Sequence, residues 1–166
     1  MTCQECQVIK EKRGQLLYED PYVYVVLAEK PATIGHIQVY SKKHAVSFDN
    51  LNHDESQHML SIANLASSVL FEQLGAHGTN IILHEGDLFG NHLVVEVLAR
   101  KDGDGLDFNW DAQQVSDANM EDVQKKIQGR AELIGRVQPS ATPEQAQQRI
   151  KAADDNYLTK NVKKLP

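Results

Sequence analysis

Residues 53–74 repeat apolar side chains at Met59, Ile62, Ala63, Ala66, Val69, Leu70 and Leu74, the three-and-four spacing of an amphipathic helix, with Gly75 as its stop. A helix with one apolar stripe must lay it on something. The flanking segments supply the partner: residues 16–27 and 36–41 before it, and 79–83 and 92–99 after it, are rich in β-branched and aromatic residues. Asp20-Pro21 and Pro31 interrupt the first group as turns. That order predicts an α+β fold, an antiparallel sheet of about five strands with the 53–74 helix packed on it. A chain of 166 residues with 41% hydrophobic content can bury a real core, and its length favours one domain with an appendage.

The appendage begins where the composition changes. Beyond Trp110 the chain turns to Gln, Asp, Lys and Ala, so residues 1–110 read as the domain and 111–166 as a helical C-terminal extension. One helix is expected from Asp117 to about Val137. Another is expected from Thr142-Pro143-Glu144, a cap followed by proline, to about Tyr157, with Pro139 between them. The extension reads as a packing or dimer-supporting element, with a partner-binding tail as the alternative. The formal net charge of -6 gives no long-range attraction for nucleic acid or an anionic membrane. No apolar run reaches the roughly 18 residues of a membrane span and the start does not resemble a signal peptide, so a soluble, cytoplasmic chain is expected. Two cysteines three apart, Cys3 and Cys6, fit a reducing compartment.

The run His92-Leu93-Val94-Val95-Glu96-Val97-Leu98-Ala99-Arg100 carries most of the functional signal. In a strand, His92, Val94 and Glu96 would share one face and Leu93, Val95 and Val97 the other. The run resembles the motif of the histidine triad (HIT) family, His-x-His-x-His followed by two apolar residues and Pro-Arg, with the second and third histidines replaced. Other pieces match in order. Residues 16–27 followed by Lys30-Pro31-Ala32-Thr33-Ile34-Gly35-His36 and Ser41-Lys42-Lys43-His44 are similar to the family's strand, Pro, Gly-His, strand and Pro-Lys-x-His block. Ile81-Ile82-Leu83-His84-Glu85-Gly86 resembles its strand ending in Asn-x-Gly, and Lys101-Asp102-Gly103-Asp104-Gly105 its tail. The resemblance covers roughly residues 3–110. It implies a nucleotide-binding fold, hydrolase or transferase chemistry, and a homodimer.

Cys3-Gln4-Glu5-Cys6 has the spacing that lets two thiolates reach one tetrahedral ion, but two further ligands are needed. In relatives with this pair, the set is completed by the histidine of Pro-Lys-x-His and the first triad histidine, positions held here by His44 and His92. The resemblance therefore implies a closed, structural zinc site of Cys3, Cys6, His44 and His92. Free thiols at a frayed terminus are the plain alternative.

The family's chemistry resembles nucleotidyl transfer to the middle histidine. Here that position is Val94, which has no lone pair, and the third is Glu96, whose carboxylate would repel phosphate. The loop before the motif is about three residues shorter than the family's, so counting forward from Gly90-Asn91 would instead place the triad on Val95, Val97 and Ala99. Neither count supplies a nucleophile. His84 replaces the family's Asn near the phosphates, and its plain reading is a hydrogen-bonded histidine without an identified orienting partner. No catalytic assignment is firm; His84, His92 and Glu96 are the candidates, with Glu96 as a base for water. Arg100, Lys42 and Lys43 are the cations considered, and His36 reads as structural.

An apolar wall for a base would come from Leu17, Tyr18, Val26 and Leu27. Phosphates would meet backbone amides between Gly86 and Asn91, Gly90 included. The family's ribose-binding acid falls on Ala28, with Glu29 one position off. With His84, Val94 and Glu96 these form the expected nucleotide site. Three readings follow: a nucleotide-binding HIT-like protein without nucleotidyl-histidine chemistry; a hydrolase or transferase of phosphoramidates or dinucleoside polyphosphates with a relocated catalytic group; and a zinc-stabilised protein-interaction scaffold.

Overall fold

The computed structural model describes residues 3–129 apart from 87 and 89. Residues up to Asn109 form one compact unit and those from Trp110 another. In the first unit, strands β1 (Gln15–Glu19), β2 (Val23–Leu27), β3 (Ile37–Ser41), β4 (Gly78–His84) and β5 (Val94–Arg100) form one sheet in the order β1-β2-β3-β5-β4. Every neighbouring pair is antiparallel. The predicted architecture is therefore the observed one.

Alternation decides the two faces of this sheet. Val23, Val25, Ile37, Val39, Leu93, Val95, Val97 and Ala99 point to the side covered by helix α2 (His53–Leu74). Tyr24, Val26, Tyr40 and Val94 point to the other, where Val8 and Ile9 pack on them. Asn52 and Glu55 start α2 with reciprocal side-chain-to-backbone bonds of 2.9 and 2.8 Å, and Gly75 ends it in the left-handed conformation. The helix buries Met59, Ala63, Ala66 and Leu70. Two alanines in that stripe let the helix axis come close to the sheet. Val69 and Leu74, expected in the stripe, lie at its exposed margin. Strand β4 is a sheet edge and exposes Ile81 and Leu83.

Three features differ from the expectations. A short helix α1 (Gln4–Lys10) follows Cys3, whose thiol caps it by accepting the Cys6 N–H; the sequence reading had only a terminal cysteine pair there. The β5 ladder begins at Val94, so His92 lies in the bend before the strand rather than within it. There Leu93 N–H bonds to Ala45 C=O, which turns the chain away from the sheet. In the second unit, helix α3 (Asp117–Gln128) is capped by Ser116 and has Gly129 as its C-cap, and positions 130–137 of the expected helix lie outside the described residues. The helix expected at 142–157 lies outside the described residues. Among the described residues no helix is long and apolar enough to cross a membrane.

Candidate functional site

The N-terminal helix starts inside a cluster of metal-ligating groups. Cys6 Sγ lies 3.3 Å from His44 Nδ1 and 3.5 Å from His92 Nδ1, and Cys3 Sγ lies 3.4 Å from His92 Nδ1. All four donor atoms fall within 4.8 Å of one another. For tetrahedral zinc, bond lengths of about 2.3 Å to sulfur and 2.05 Å to nitrogen put sulfur and nitrogen about 3.6 Å apart. The observed spacings fit that ion. The tautomer fits too: His92 Nε2–H donates to Ser41 C=O at 2.7 Å, which leaves the Nδ1 lone pair turned to the thiols. Burial lowers the pKa of His92 below the usual histidine value, favouring the neutral ligand form. Burial also pushes the Cys3 thiol up to about 11, the Cys6 N–H opposing it and the Glu5 and Cys6 side chains adding to it, so an entering metal displaces a proton there. Cys3, Cys6, His44 and His92 thus form a zinc-type site that would pin α1 to the sheet.

Pinned this way, α1 and the turn after it wall a cavity of about 230 Å³ over the face opposite α2, lined by Val8, Arg13, Lys30, Val26, His36 and Glu96 among others. Gln38 joins β3 to β5 across this face. Its Nε2 donates to Glu96 Oε1 at 3.1 Å, and its Oε1 accepts from the Tyr40 hydroxyl at 2.8 Å. Burial pushes the Tyr40 phenol up to about 12, with Glu5 and Glu96 adding to it, so it stays a donor. The other carboxylate oxygen, Oε2, lies 3.2 Å from His84 Nε2 and 3.6 Å from His36 Nε2. His36 Nδ1 accepts the Ala32 N–H, which places its proton on Nε2, towards Glu96. Burial lowers the His36 pKa despite the nearby carboxylate, so the ring is neutral.

The family model of the HIT domain matches residues 9–97. The chain belongs to the HIT family. Among solved structures, this HIT protein is similar to a zinc-bound histidine triad family protein from Mycobacterium smegmatis, at 26% identity and TM-score 0.58, over 68% of this chain and 85% of that one. A HIT family member from Bacillus subtilis shares the fold at 18% identity and TM-score 0.67, over 78% and 97%. So does a histidine triad nucleotide-binding protein from Candida albicans, at 20% identity and TM-score 0.65, over 80% and 99%. No curated protein matches the sequence.

Against that background the expected site residues divide. Val26, Glu96 and the buried Val94 lie on the cavity face, with His84 beside Glu96. Val95, Val97 and Ala99 lie beneath α2, so the alternative triad count points away from the cavity. Ala28 lines a neighbouring cavity of about 480 Å³, as does Glu29, which borders both. Leu17 and Tyr18 are exposed on the edge strand β1, and neither lines these cavities. The Gly86 amide is already bound to Val46 C=O, which removes one expected phosphate donor. Gly90 and Asn91 sit beside α1, where Cys3 Sγ approaches Asn91 C=O.

The cations also change. Arg100 is committed to Asp104, Asn80 and Leu106, Lys42 to Glu19, and Lys43 to Glu55. Arg13 and Lys30 line the cavity instead. His36, read as structural, faces Glu96. Sequence reasoning missed these residues because the β3–β5 register, which sets Gln38 opposite Glu96, joins positions 58 residues apart.

Proposed function

We propose that this HIT protein binds a nucleoside 5′-phosphate in the cavity between α1 and strands β2, β3 and β5, and that it forms no nucleotidyl-histidine at the family's middle triad position. The observation that carries this reading is Val94. It sits on the cavity face, packed with Tyr24, Val26 and Tyr40, where the resemblance places the nucleophile. An aliphatic side chain cannot attack phosphorus, yet the cavity over the same face of the sheet is open, lined by Lys30 and by Arg13, whose guanidinium a phosphate would share with the exposed Glu11 3.2 Å away. Val8, Val26 and Tyr40 offer the base an apolar wall, and the Glu29 carboxylate is the acid available to ribose hydroxyls one residue beyond Ala28.

Zinc on Cys3, Cys6, His44 and His92 is structural in this reading: it supplies no open coordination position and fixes α1 as one wall of the cavity. The protein works as a homodimer in the cytoplasm. Support for the dimer comes from the unpaired β4 edge, whose Ile81 and Leu83 are exposed.

The test is calorimetric titration of the zinc-loaded protein with AMP, GMP and inorganic phosphate. Nucleotide binding that weakens about tenfold or more in Arg13→Ala and Lys30→Ala is expected, the loss of one charge-assisted contact each. Heat signals absent for every nucleotide would overturn the reading.

A further inference from the structure

We propose that Cys3 and Cys6 are a reversible redox switch: a hydroperoxide joins them as a disulfide, which takes both sulfur donors from the zinc-type site, frees α1 and dismantles the cavity that α1 walls. The effect on ligand affinity rests on the nucleotide-binding reading above; the release of α1 does not. The four donors divide unevenly between the two parts they join. Both cysteines belong to the start of α1, while His44 follows β3 and His92 precedes β5. Oxidation of the sulfurs therefore cuts every metal-borne link between α1 and the sheet at once. His92 keeps its bond to Ser41 C=O throughout, so the histidine half of the site stays in place.

The pair is also placed to bond to itself. Cys3 is the N-cap of α1 and Cys6 its third residue. The Cys3 Sγ folds back over the first turn to accept the Cys6 N–H at 3.4 Å, and the two Sγ atoms lie within 4.8 Å of each other. Residues three apart on a helix carry their Cβ atoms about 5 to 6 Å apart, and a disulfide spans about 3.5 to 4.5 Å between Cβ atoms. The closure is thus a local adjustment of one turn. The chain has two cysteines in all, so within one molecule each has the other as its sole thiol partner. Both are half-buried, and the ligand beside Cys6, His44, is exposed, so a small oxidant reaches the sulfurs.

One thiolate attacks an oxygen of hydrogen peroxide; the O–O bond breaks, hydroxide leaves and the sulfur becomes a sulfenic acid. The second thiolate attacks that sulfur, the S–O bond breaks and a second hydroxide leaves. Two thiolates, one peroxide and two protons give one disulfide and two waters, the sulfurs losing the two electrons that the peroxide gains. A disulfide offers a cation no negative charge, so His44 and His92 are left as two donors where a tetrahedral ion needs four. A dithiol reductant restores both thiols by exchange, and in a reducing compartment such a bond is transient, as redox-sensing disulfides are. Without the metal, α1 is held by Val8 and Ile9, neither of them fully buried. Its departure removes Val8 from the cavity wall and loosens Arg13, which follows it in the chain.

The experiment treats the zinc-loaded full chain with hydrogen peroxide and follows released zinc with a metallochromic dye, intact mass, hydrogen exchange over residues 4–12 and the Kd for AMP. Zinc release in step with the loss of two hydrogens from the intact mass is expected, with exchange protection lost in α1 and kept in the sheet. The Kd is expected to rise about tenfold, and dithiol with added zinc to reverse every change. In a Cys3→His, Cys6→His double variant, whose imidazoles cannot join, peroxide is expected to change neither exchange nor Kd. Zinc retained at peroxide levels that oxidise a free thiol, or a mass gain from sulfinate in place of the hydrogen loss, overturns the switch. A disulfide with α1 still protected overturns the link to the helix, and a released α1 with unchanged Kd overturns control of the cavity. A peroxide effect that persists in the double variant takes the role away from the cysteines. Absence of AMP binding to the reduced, zinc-loaded protein overturns the binding reading, and is told apart because zinc release, mass and exchange are read without nucleotide.

Discussion

Removing the metal should weaken nucleotide binding about tenfold, because α1 is too small to stay in place alone. The helix has 7 residues and buries none of them fully. Starting a helix costs about 4 kcal/mol, from a nucleation constant of about 10⁻³, and each further residue adds little net stability. Val8 and Ile9 pack half-buried on Tyr24, Val26, Tyr40 and Val94. At about 25 cal/mol per Å² of apolar surface they return about 1 to 1.5 kcal/mol each. The shortfall is about 1 to 2 kcal/mol, so without metal α1 is docked in about one molecule in ten. A ligand that needs this wall loses affinity by the same fraction. The assay is AMP titration of zinc-loaded and chelator-treated protein, with hydrogen exchange read over residues 4–12. Lost protection in α1, an intact sheet and a tenfold higher Kd are expected. A Kd within twofold, with α1 still protected and metal loss verified, would refute the reasoning.

Asp20 supports a pH-dependent contribution to stability. Burial raises its pKa, but the Val23 N–H, the His58 ring and the Tyr22 N–H more than offset this and hold it at about 2, against 3.8 in the unfolded chain. The ionised form therefore stabilises the fold above the unfolded value, and that stability disappears as pH falls through about 2. Asp20→Asn should cost about 1 to 2 kcal/mol at pH 7, allowing for solvent screening, with the difference from wild type closing near pH 2 in urea titrations. Gly35→Ala should cost about 2 kcal/mol or more in the same assay, since Gly35 has φ of +93° and a Cβ there would stand 2.5 Å from Leu74 Cδ1 and 2.9 Å from Leu70 Cδ2. Glu29→Gln should weaken AMP binding several-fold and 2′-deoxy-AMP binding less; equal loss for both would remove Glu29 from the ribose contact.

The sheet and α2 were legible because each declares itself locally: β-branched and aromatic runs bounded by breakers in the strands, a period near 3.6 in 53–74, and Gly75 at the stop. The zinc quartet was legible only because a cysteine pair and two histidines fall at positions the family resemblance marks; spacing alone gives two of the four. What stayed hidden depends on register and proximity. Helix α1 has too few residues for periodicity to speak, and its start is a cysteine that reads first as a ligand. The Glu96 partners come from β3, from the loop before it and from β4, so each contact crosses strands. Arg13 and Lys30 gave no motif; they meet because α1 and the loop after β2 border one cavity. His92 was placed in the strand because it opens a continuous strand-like run, whereas the β5 ladder begins only at Val94 and His92 bonds to Ser41 C=O.

His92 has one ring nitrogen turned to the thiols and the other on the backbone of Ser41. Its fitness is therefore judged by folding, whereas that of positions 94 and 96 is judged by the ligand. In a saturation library scored only for cellular abundance, position 92 should tolerate almost nothing but a second metal ligand, while 94 accepts other aliphatics and 96 a range of polar residues. A family signature can in this way erode unevenly: the histidine that serves as a rivet persists, its two neighbours drift, and the architecture is inherited intact.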